Sequence, residues 1–177
     1  MDFTSADQPV TAAVVLLEAQ IPVPSVLLIR RPIVASDPWS GQWAFPGGRW
    51  QDSDSNLLMT ARRELHEEVG LPLAGDLLWN ALPVAIAGLH GGVEVRVAPF
   101  HLQLAQQPTL IPDSREVAAY RWCSFAELGE RNHHQIGPVP GGGDHLWPHI
   151  EVDGTPLWGF TWRVLQAWMH QSGYDTR

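Results

Sequence analysis

Residues 46–71 read PGGRWQDSDSNLLMTARRELHEEVGL, and this stretch decides how the rest of the chain is interpreted. Within it, apolar side chains recur at helical spacing at four positions: Leu58, Ala61, Leu65 and Val69. This periodicity predicts a helix over residues 56–69 with one buried face. Ser55 or Asp54 is the expected N-cap, and Gly70 with Pro72 ends the helix.

Three glutamates, Glu64, Glu67 and Glu68, follow one another at i, i+3 and i+4 on the predicted helix, so their carboxylates project from the same face. Like charges at this spacing cost about 0.2–0.5 kcal/mol per pair, a cost that a bound cation offsets. Ligands that are all oxygen suit Mg²⁺ or Mn²⁺. Arg63 is placed to orient one carboxylate through a bidentate pair. The alternative is an acidic helix face in solvent, balanced by the arginine.

The rest of the chain alternates strand and helix patterns. Strands are predicted at 10–17, 26–29, 84–89, 93–97, 117–122 and 149–153, with a hairpin turn at Gly91-Gly92. Helices are predicted at 125–129, capped by Ser124, and at 157–170, where Val164, Leu165 and Trp168 face the core. Residues 136–144, rich in proline and glycine, are predicted as a loop. Because no repeat or composition break interrupts this alternation, we expect one α/β domain over 1–177 with flexible termini at 1–9 and 171–177.

Composition excludes several classes of protein. The 177 residues are 45% hydrophobic and 17% charged, which is typical of a folded globule rather than a disordered chain. Nineteen acidic and eleven basic side chains, all arginine, give a net charge of −8, which disfavours a nucleic-acid binder. The single cysteine, Cys123, excludes a disulfide framework. The first ten residues lack a signal-peptide pattern and no apolar run reaches the ~18 residues that span a membrane, so a cytoplasmic location without membrane contact is predicted.

Glycines frame the acidic helix, since Gly47 and Gly48 precede it and Gly70 follows it. Glycine allows a tight turn in which a main-chain carbonyl can approach a metal. With these glycines, residues 48–71 resemble the Nudix box, G-x5-E-x7-R-E-U-x-E-E-x-G-U with U apolar. Residues 63–71, RELHEEVGL, match every specified position of its second half.

The first half of the box departs from the pattern. The position of the box glutamate falls on Asp54, and eight residues instead of seven separate it from Arg63. An acid is therefore retained with one residue inserted, and Asp52 is a second candidate for the same place.

The resemblance to Nudix hydrolases implies an α/β/α sandwich around a mixed β-sheet. It also implies hydrolysis of a diphosphate bond by water attack on phosphorus, with Mg²⁺ or Mn²⁺ neutralising the phosphates. Carried over by position, Glu64 and Glu68 are the expected main metal ligands, and Gly48 offers its carbonyl. Glu67 is either the third ligand or the base that activates water, and Arg63 orients the carboxylates.

Two further stretches, LLIRR at 27–31 and SGQWAFPGGR at 40–49, resemble the upstream signature of the coenzyme A diphosphatase branch. The inserted residue and the closing segment PLWGFTWRVL at 156–165 also occur in that branch. It implies coenzyme A or a derivative as substrate, with phosphopantetheine and adenosine 3′,5′-bisphosphate as products. The chain has Asp37 where that signature has an arginine, and Ile29 and Pro32 where it has Thr and Ser.

Other functions stay open at this point. A nucleotide-sugar, ADP-ribose or nucleoside triphosphate diphosphatase would use the same metal helix, because loops outside the motif recognise the rest of the substrate. A non-catalytic Nudix-fold ligand sensor is a further alternative, which the three retained glutamates disfavour. The oligomeric state is undetermined, with a homodimer as one alternative.

Residues outside the box complete the expected site. Arg49, Arg31 and Arg30 flank the cleft as candidate ligands for substrate phosphates, although for Arg30 and Arg31 a solvated strand end is an equal alternative. Trp39, Trp43 and Trp50 either stack an adenine or pack in the core. Glu116 and Glu130 are candidate bases from later loops.

A loop region carries four histidines, His133, His134, His145 and His149, whose spacing matches no familiar zinc site. A mobile lid over the substrate is the preferred interpretation of this loop. Cys123 is expected to be a buried strand residue.

Overall fold

The computed structural model describes residues 9–35, 37, 39–72, 77–88 and 94–174. The predicted Gly91-Gly92 turn and the extreme ends of the chain lie outside these ranges. The strands are β1 Ala12–Ile21, β2 Ser25–Arg30, β3 Trp43–Ala44, β4 Gly47–Arg49, β5 Trp79–Ala81, β6 Ala85–Ala87, β7 Val95–Gln106, β8 Ala119–Ser124, β9 His134–Gly137, β10 Trp147–Val152 and β11 Thr155–Trp158. The helices are α1 Leu57–Val69, α2 Phe125–Gly129 and α3 Gly159–Gln171, and a 3-10 turn spans Arg131–His133.

The main sheet is mixed and has the order β3-β2-β1-β7-β5, with β4 beside β1, β6 beside β7 and β8 beside β2. Strand β1 pairs in parallel with β7 from Ala12 to Ile21, and antiparallel with β2 and β4. Its continuous apolar run fits this central position, because both faces of the strand are covered. The hairpin predicted across Gly91-Gly92 is represented by β6 and β7, which pair antiparallel.

Two apolar layers cover the two faces of this sheet. On one face α1, through Ala61, Leu65 and Val69, packs against side chains of β1 and β2: Ala13, Val15, Leu17, Leu27 and Ile29. On the other face α3 and the last strands, through Ile150, Leu157, Trp162 and Leu165, pack against a second set: Leu16, Val26, Leu28, Trp43 and Phe45. The predicted α/β/α sandwich around a mixed sheet is therefore confirmed, and Val164, Leu165 and Trp168 are buried as expected.

The C-terminal region contains a three-stranded antiparallel sheet, β11-β10-β9, that the sequence analysis did not predict. Part of the expected 136–144 loop is β9, and residues 157–158 belong to β11 instead of the last helix. The reason is the turn at Asp153 and Gly154, where positive φ angles of 48° and 70° fold β11 back onto β10. Helix α3 begins only after this hairpin, at Gly159.

Helix α1 confirms the predicted element but corrects its cap. Asn56, and neither Ser55 nor Asp54, is the N-cap, and its side chain accepts a hydrogen bond from the Met59 N–H at 3.0 Å. At the other end Gly70 adopts the left-handed conformation, as predicted for the residue that ends the helix.

Candidate active site

An ion pair between Arg63 and Asp54 connects helix α1 to the loop that precedes it. Arg63 donates to both carboxylate oxygens of Asp54, from Nε at 3.0 Å and from Nη2 at 2.9 Å. Asp54 also accepts hydrogen bonds from the Thr60 hydroxyl at 2.9 Å and the Gln51 N–H at 3.0 Å. These bonds, with Arg63 first, hold the pKa of Asp54 well below its usual value. Asp54 is buried and Asp52 is exposed, so of the two candidates Asp54 is the acid that contacts Arg63.

Arg63 also contacts two of the three helix glutamates. Its Nη1 group contacts the Glu64 carboxylate at 2.8 Å and the Glu67 carboxylate at 2.8 Å. Its Nη2 group also donates to the Arg49 carbonyl at 3.0 Å. One arginine therefore fixes the acid of the loop, the β4 backbone and two carboxylates in a single arrangement.

The third carboxylate of the candidate metal site belongs to Glu116, which lies outside residues 48–71. Oxygens of Glu64, Glu68 and Glu116 lie within 4.8 Å of one another, an arrangement that could hold a metal ion. Glu67 does not belong to this group. Its side chain is 48% exposed and contacts Arg63. Among the residues that the structure describes, no other set of three histidine, cysteine or acidic side chains converges in this way.

Glu116 reaches the cluster because the loop between β7 and β8 is hydrogen-bonded to the end of α1. The N–H of Ile111 donates to the Val69 carbonyl at 2.8 Å, and the N–H of Asp113 donates to the Glu68 carbonyl at 3.0 Å. A Cβ at Gly70 would lie 2.7 Å from the Ile111 carbonyl oxygen, so glycine is required for this close approach. No local pattern marks Glu116, which the sequence offered only as one of two candidate bases.

Two glycines of β4 lie directly against the carboxylates, Gly47 against Glu68 and Gly48 against Glu64. The N–H of Gly47 donates to the Glu68 carboxylate at 2.8 Å. A Cβ at Gly48 would lie 2.5 Å from the Glu64 carboxylate carbon, so the absence of a side chain makes room for that group. The β4 backbone and the helix carboxylates thus meet in the pattern expected from the box.

Burial makes this cluster electrostatically costly without a cation. It raises the pKa of Glu68 to about 8, against the Gly47 hydrogen bond that lowers it, and the Glu64 and Glu116 charges raise it further. Burial also raises the pKa of Glu64, although its contact with Arg63 opposes the change. Three crowded carboxylates with no nitrogen or sulfur ligand suit a hard divalent cation. The residues present therefore fit the Mg²⁺ or Mn²⁺ that the resemblance implies.

The three arginines expected to bind substrate lie in different environments. Arg31 is the one whose charge affects Glu68, lowering the pKa of that carboxyl, and it pairs with Asp37 at 2.7 Å. Arg30 donates from Nε to the Gly41 carbonyl at 3.2 Å. Arg49 is exposed beside the Arg63 contact, on β4.

The other expected residues lie away from the cluster. Trp43 is in the core and donates to the Val152 carbonyl at 2.8 Å, whereas Trp50 is 45% exposed and donates to the Asp54 carbonyl. Glu130 is exposed and contacts His133 at 3.5 Å. Cys123 is buried in β8, and burial raises its pKa to about 12, as expected of a structural thiol.

The histidines of the later loop are held by main-chain atoms and by ring packing. His134 contacts the Leu128 carbonyl at 2.9 Å and packs edge-on against Trp162. His149 is buried and contacts the Trp147 carbonyl at 3.0 Å. No histidine joins a metal-binding set among the described residues.

The fold is an α/β/α sandwich whose acidic helix α1 carries Glu64 and Glu68 on one face of the sheet. A family model described as the NUDIX domain matches residues 7–140. The chain belongs to the Nudix family, and it is a hydrolase that acts on diphosphate bonds.

Relatives and solved structures agree with this assignment. The Nudix hydrolase NudL of Yersinia enterocolitica, described as uncharacterised, is 45% identical over 164 residues, which are 90% of this chain and 80% of the relative. An uncharacterised protein of Schizosaccharomyces pombe is 30% identical over 120 residues, 60% of this chain but only 33% of that protein. The NUDIX domain of Shewanella oneidensis NrtR, solved with ADP-ribose, is 17% identical with a TM-score of 0.55, over 72% of this chain and 81% of that one. At that identity the likeness is one of fold.

No helix among the described residues is long and apolar enough to cross a bilayer.

Proposed function

We propose that the protein is a Mg²⁺- or Mn²⁺-dependent Nudix diphosphatase whose preferred substrate is coenzyme A or a derivative. The observation that carries the metal dependence is the convergence of Glu64, Glu68 and Glu116 within 4.8 Å, with Glu68 buried and Glu116 exposed. Nudix hydrolases generally use divalent cations. The coenzyme A preference is supported by the resemblance of the stretches 27–31 and 40–49 to the signature of that branch, and β4, in the second stretch, contacts the cluster.

In the proposed mechanism, Glu64, Glu68 and the Gly48 carbonyl would hold the cation, which when bound would neutralise the phosphates and lower the pKa of the attacking water. Glu67 and Glu116 are the two candidates for the third ligand or the base, and Glu116 lies in the carboxylate cluster. Glu67 also shares Arg63 with Glu64, so it helps to fix Arg63. Arg31 and Arg49 bind the substrate phosphates, and Arg30 supports the strand end next to Arg31. A carboxylate base then accepts the proton of the water that attacks phosphorus.

The test is a substrate panel incubated with Mg²⁺ or Mn²⁺: coenzyme A, an acyl-coenzyme A, ADP-ribose, NADH, a dinucleoside polyphosphate and nucleoside triphosphates. Release of adenosine 3′,5′-bisphosphate fastest from coenzyme A is the expected result. Hydrolysis in ¹⁸O-labelled water places the label in one product phosphate and identifies the attacked phosphorus. The Glu68→Gln variant is the matched control and should lose turnover by orders of magnitude.

ADP-ribose hydrolysis is the second candidate, because the NUDIX domain of Shewanella NrtR was solved with that ligand. Faster release of AMP from ADP-ribose than of adenosine 3′,5′-bisphosphate from coenzyme A would replace the preferred substrate and keep the site. Absence of turnover across the panel would favour a ligand sensor. A single domain over 1–177, a cytoplasmic location and the alternative of a homodimer remain predictions.

A further inference from the structure

We infer that Asp37 is a positioning residue, which holds the Arg31 guanidinium at the rim of the carboxylate cluster in the orientation that binds a substrate phosphate. The inference rests on the proposed function, since it assigns a partner to one of its phosphate-binding arginines. Asp37 belongs to the loop between β2 and β3, and it stands where the coenzyme A signature has an arginine.

The pair of Arg31 and Asp37 fixes the orientation of the guanidinium as well as balancing its charge. Asp37 Oδ2 accepts from Arg31 Nε at 3.1 Å and from Nη2 at 2.7 Å, so two donors of the guanidinium are fixed by one oxygen. Asp37 Oδ1 accepts the Trp39 N–H at 3.0 Å. The main chain of Asp37 is held in turn by Val34 and Ser40, each at 3.0 Å. The Asp37 side chain is only 19% exposed, so the loop determines where this carboxylate lies.

Main-chain hydrogen bonds fix the backbone of Arg31 near the carboxylate cluster. Its N–H donates to the Gln42 carbonyl at 3.0 Å. The preceding residue, Arg30, accepts the Ala118 N–H at 2.9 Å, two residues after Glu116. The end of β2 and the loop that carries Glu116 therefore meet at Arg30, directly before Arg31.

The remaining donors of Arg31 are available for a ligand. A guanidinium has five N–H donors, and Asp37 occupies Nε and one hydrogen of Nη2. Among the described residues, no acceptor contacts Nη1, and the Arg31 side chain is 37% exposed. Asp37 thus fixes the orientation of the guanidinium and leaves Nη1 available for a phosphate.

The experiment measures binding of imidodiphosphate, a diphosphate that resists hydrolysis, by titration calorimetry in Mg²⁺. Asp37→Asn is expected to weaken imidodiphosphate binding about tenfold, the effect of one lost charge-assisted hydrogen bond. In the diphosphatase assay, the variant is expected to raise KM by a similar factor and to change kcat less. Arg31→Lys keeps the charge but not the planar fork, and is expected to lose a similar factor. In the Arg31→Ala background, Asp37→Asn is expected to add nothing, because the two residues act as one unit.

The matched control is Asp153→Asn, which removes an exposed carboxylate that pairs with Arg121 at 2.5 Å in the turn between β10 and β11. Its left-handed φ of 48° suits asparagine, and binding should be unchanged. Wild-type affinity in Asp37→Asn and Arg31→Lys, tighter binding, or additive losses in the double variant would overturn the positioning role. A wild-type protein that hydrolyses no diphosphate would instead overturn the proposed function.

Discussion

Replacing Glu68 with glutamine is expected to make the metal-free protein more stable as the pH rises, while removing catalysis. The Glu68 side chain is buried, accepts one hydrogen bond from Gly47, and lies between the Glu64 and Glu116 carboxylates. Glutamine keeps the shape and the carbonyl acceptor but carries no charge. The variant therefore removes the cost of burying an anion and, with it, a metal ligand.

The sign and size of this effect follow from the raised pKa of Glu68. A group whose pKa is higher in the folded state contributes stability that is fully present below its unfolded pKa and is lost as the pH rises through its folded pKa. For Glu68 this window runs from 4.5 to about 8. At 1.36 kcal/mol per pH unit, the variant gains about 2 kcal/mol over the wild type at pH 6 and up to about 5 kcal/mol at pH 9.

The assay is urea unfolding with a chelator present, at pH 6, 7.5 and 9. Mg²⁺ at one hundred times its Kd should stabilise the wild type by about 2.7 kcal/mol and the variant by much less. Glu130→Gln, on an exposed acid, is the control and should show no pH-dependent gain. A difference between wild type and Glu68→Gln that does not grow from pH 6 to pH 9, or near-normal turnover in the variant, would refute the reasoning.

Two further predictions concern the frame of the site, and a third concerns a buried hydrogen bond of β1. Gly48→Ala places a Cβ 2.5 Å from the Glu64 carboxylate carbon, and should weaken Mg²⁺ affinity at least about tenfold in calorimetry with the fold retained in circular dichroism. Asp54→Asn should lower the melting temperature by several degrees at pH 7, and the deficit should shrink in acid, because the lowered pKa of Asp54 makes its contribution disappear as the pH falls. An unchanged melting temperature would contradict this. Tyr174→Phe removes a 3.0 Å hydrogen bond to the buried Glu18, and should cost about 1 kcal/mol in urea unfolding with kcat unchanged.

Local sequence predicted the secondary structure around the candidate site correctly where the information was local. The spacing of Glu64 and Glu68 on α1, the glycine that ends the helix and the Ser124 cap of α2 all depend on neighbours a few residues away. The predicted position of the N-cap was wrong by one or two residues, because three polar residues in succession can each cap a helix. Asn56 is the one that does, since Asp54 is engaged by Arg63.

What the sequence determined by itself is the acidic helix, the mixed α/β architecture and the family, because helical periodicity and a motif of adjacent residues are written in consecutive positions. Only the tertiary structure decided that Glu116 completes the carboxylate cluster and that Glu67 faces Arg63 instead. Glu116 lies 48 residues after Glu68 in the chain, and main-chain hydrogen bonds from its loop to the end of α1 bring it there. Such bonds involve atoms that every residue has, so no side-chain pattern records them.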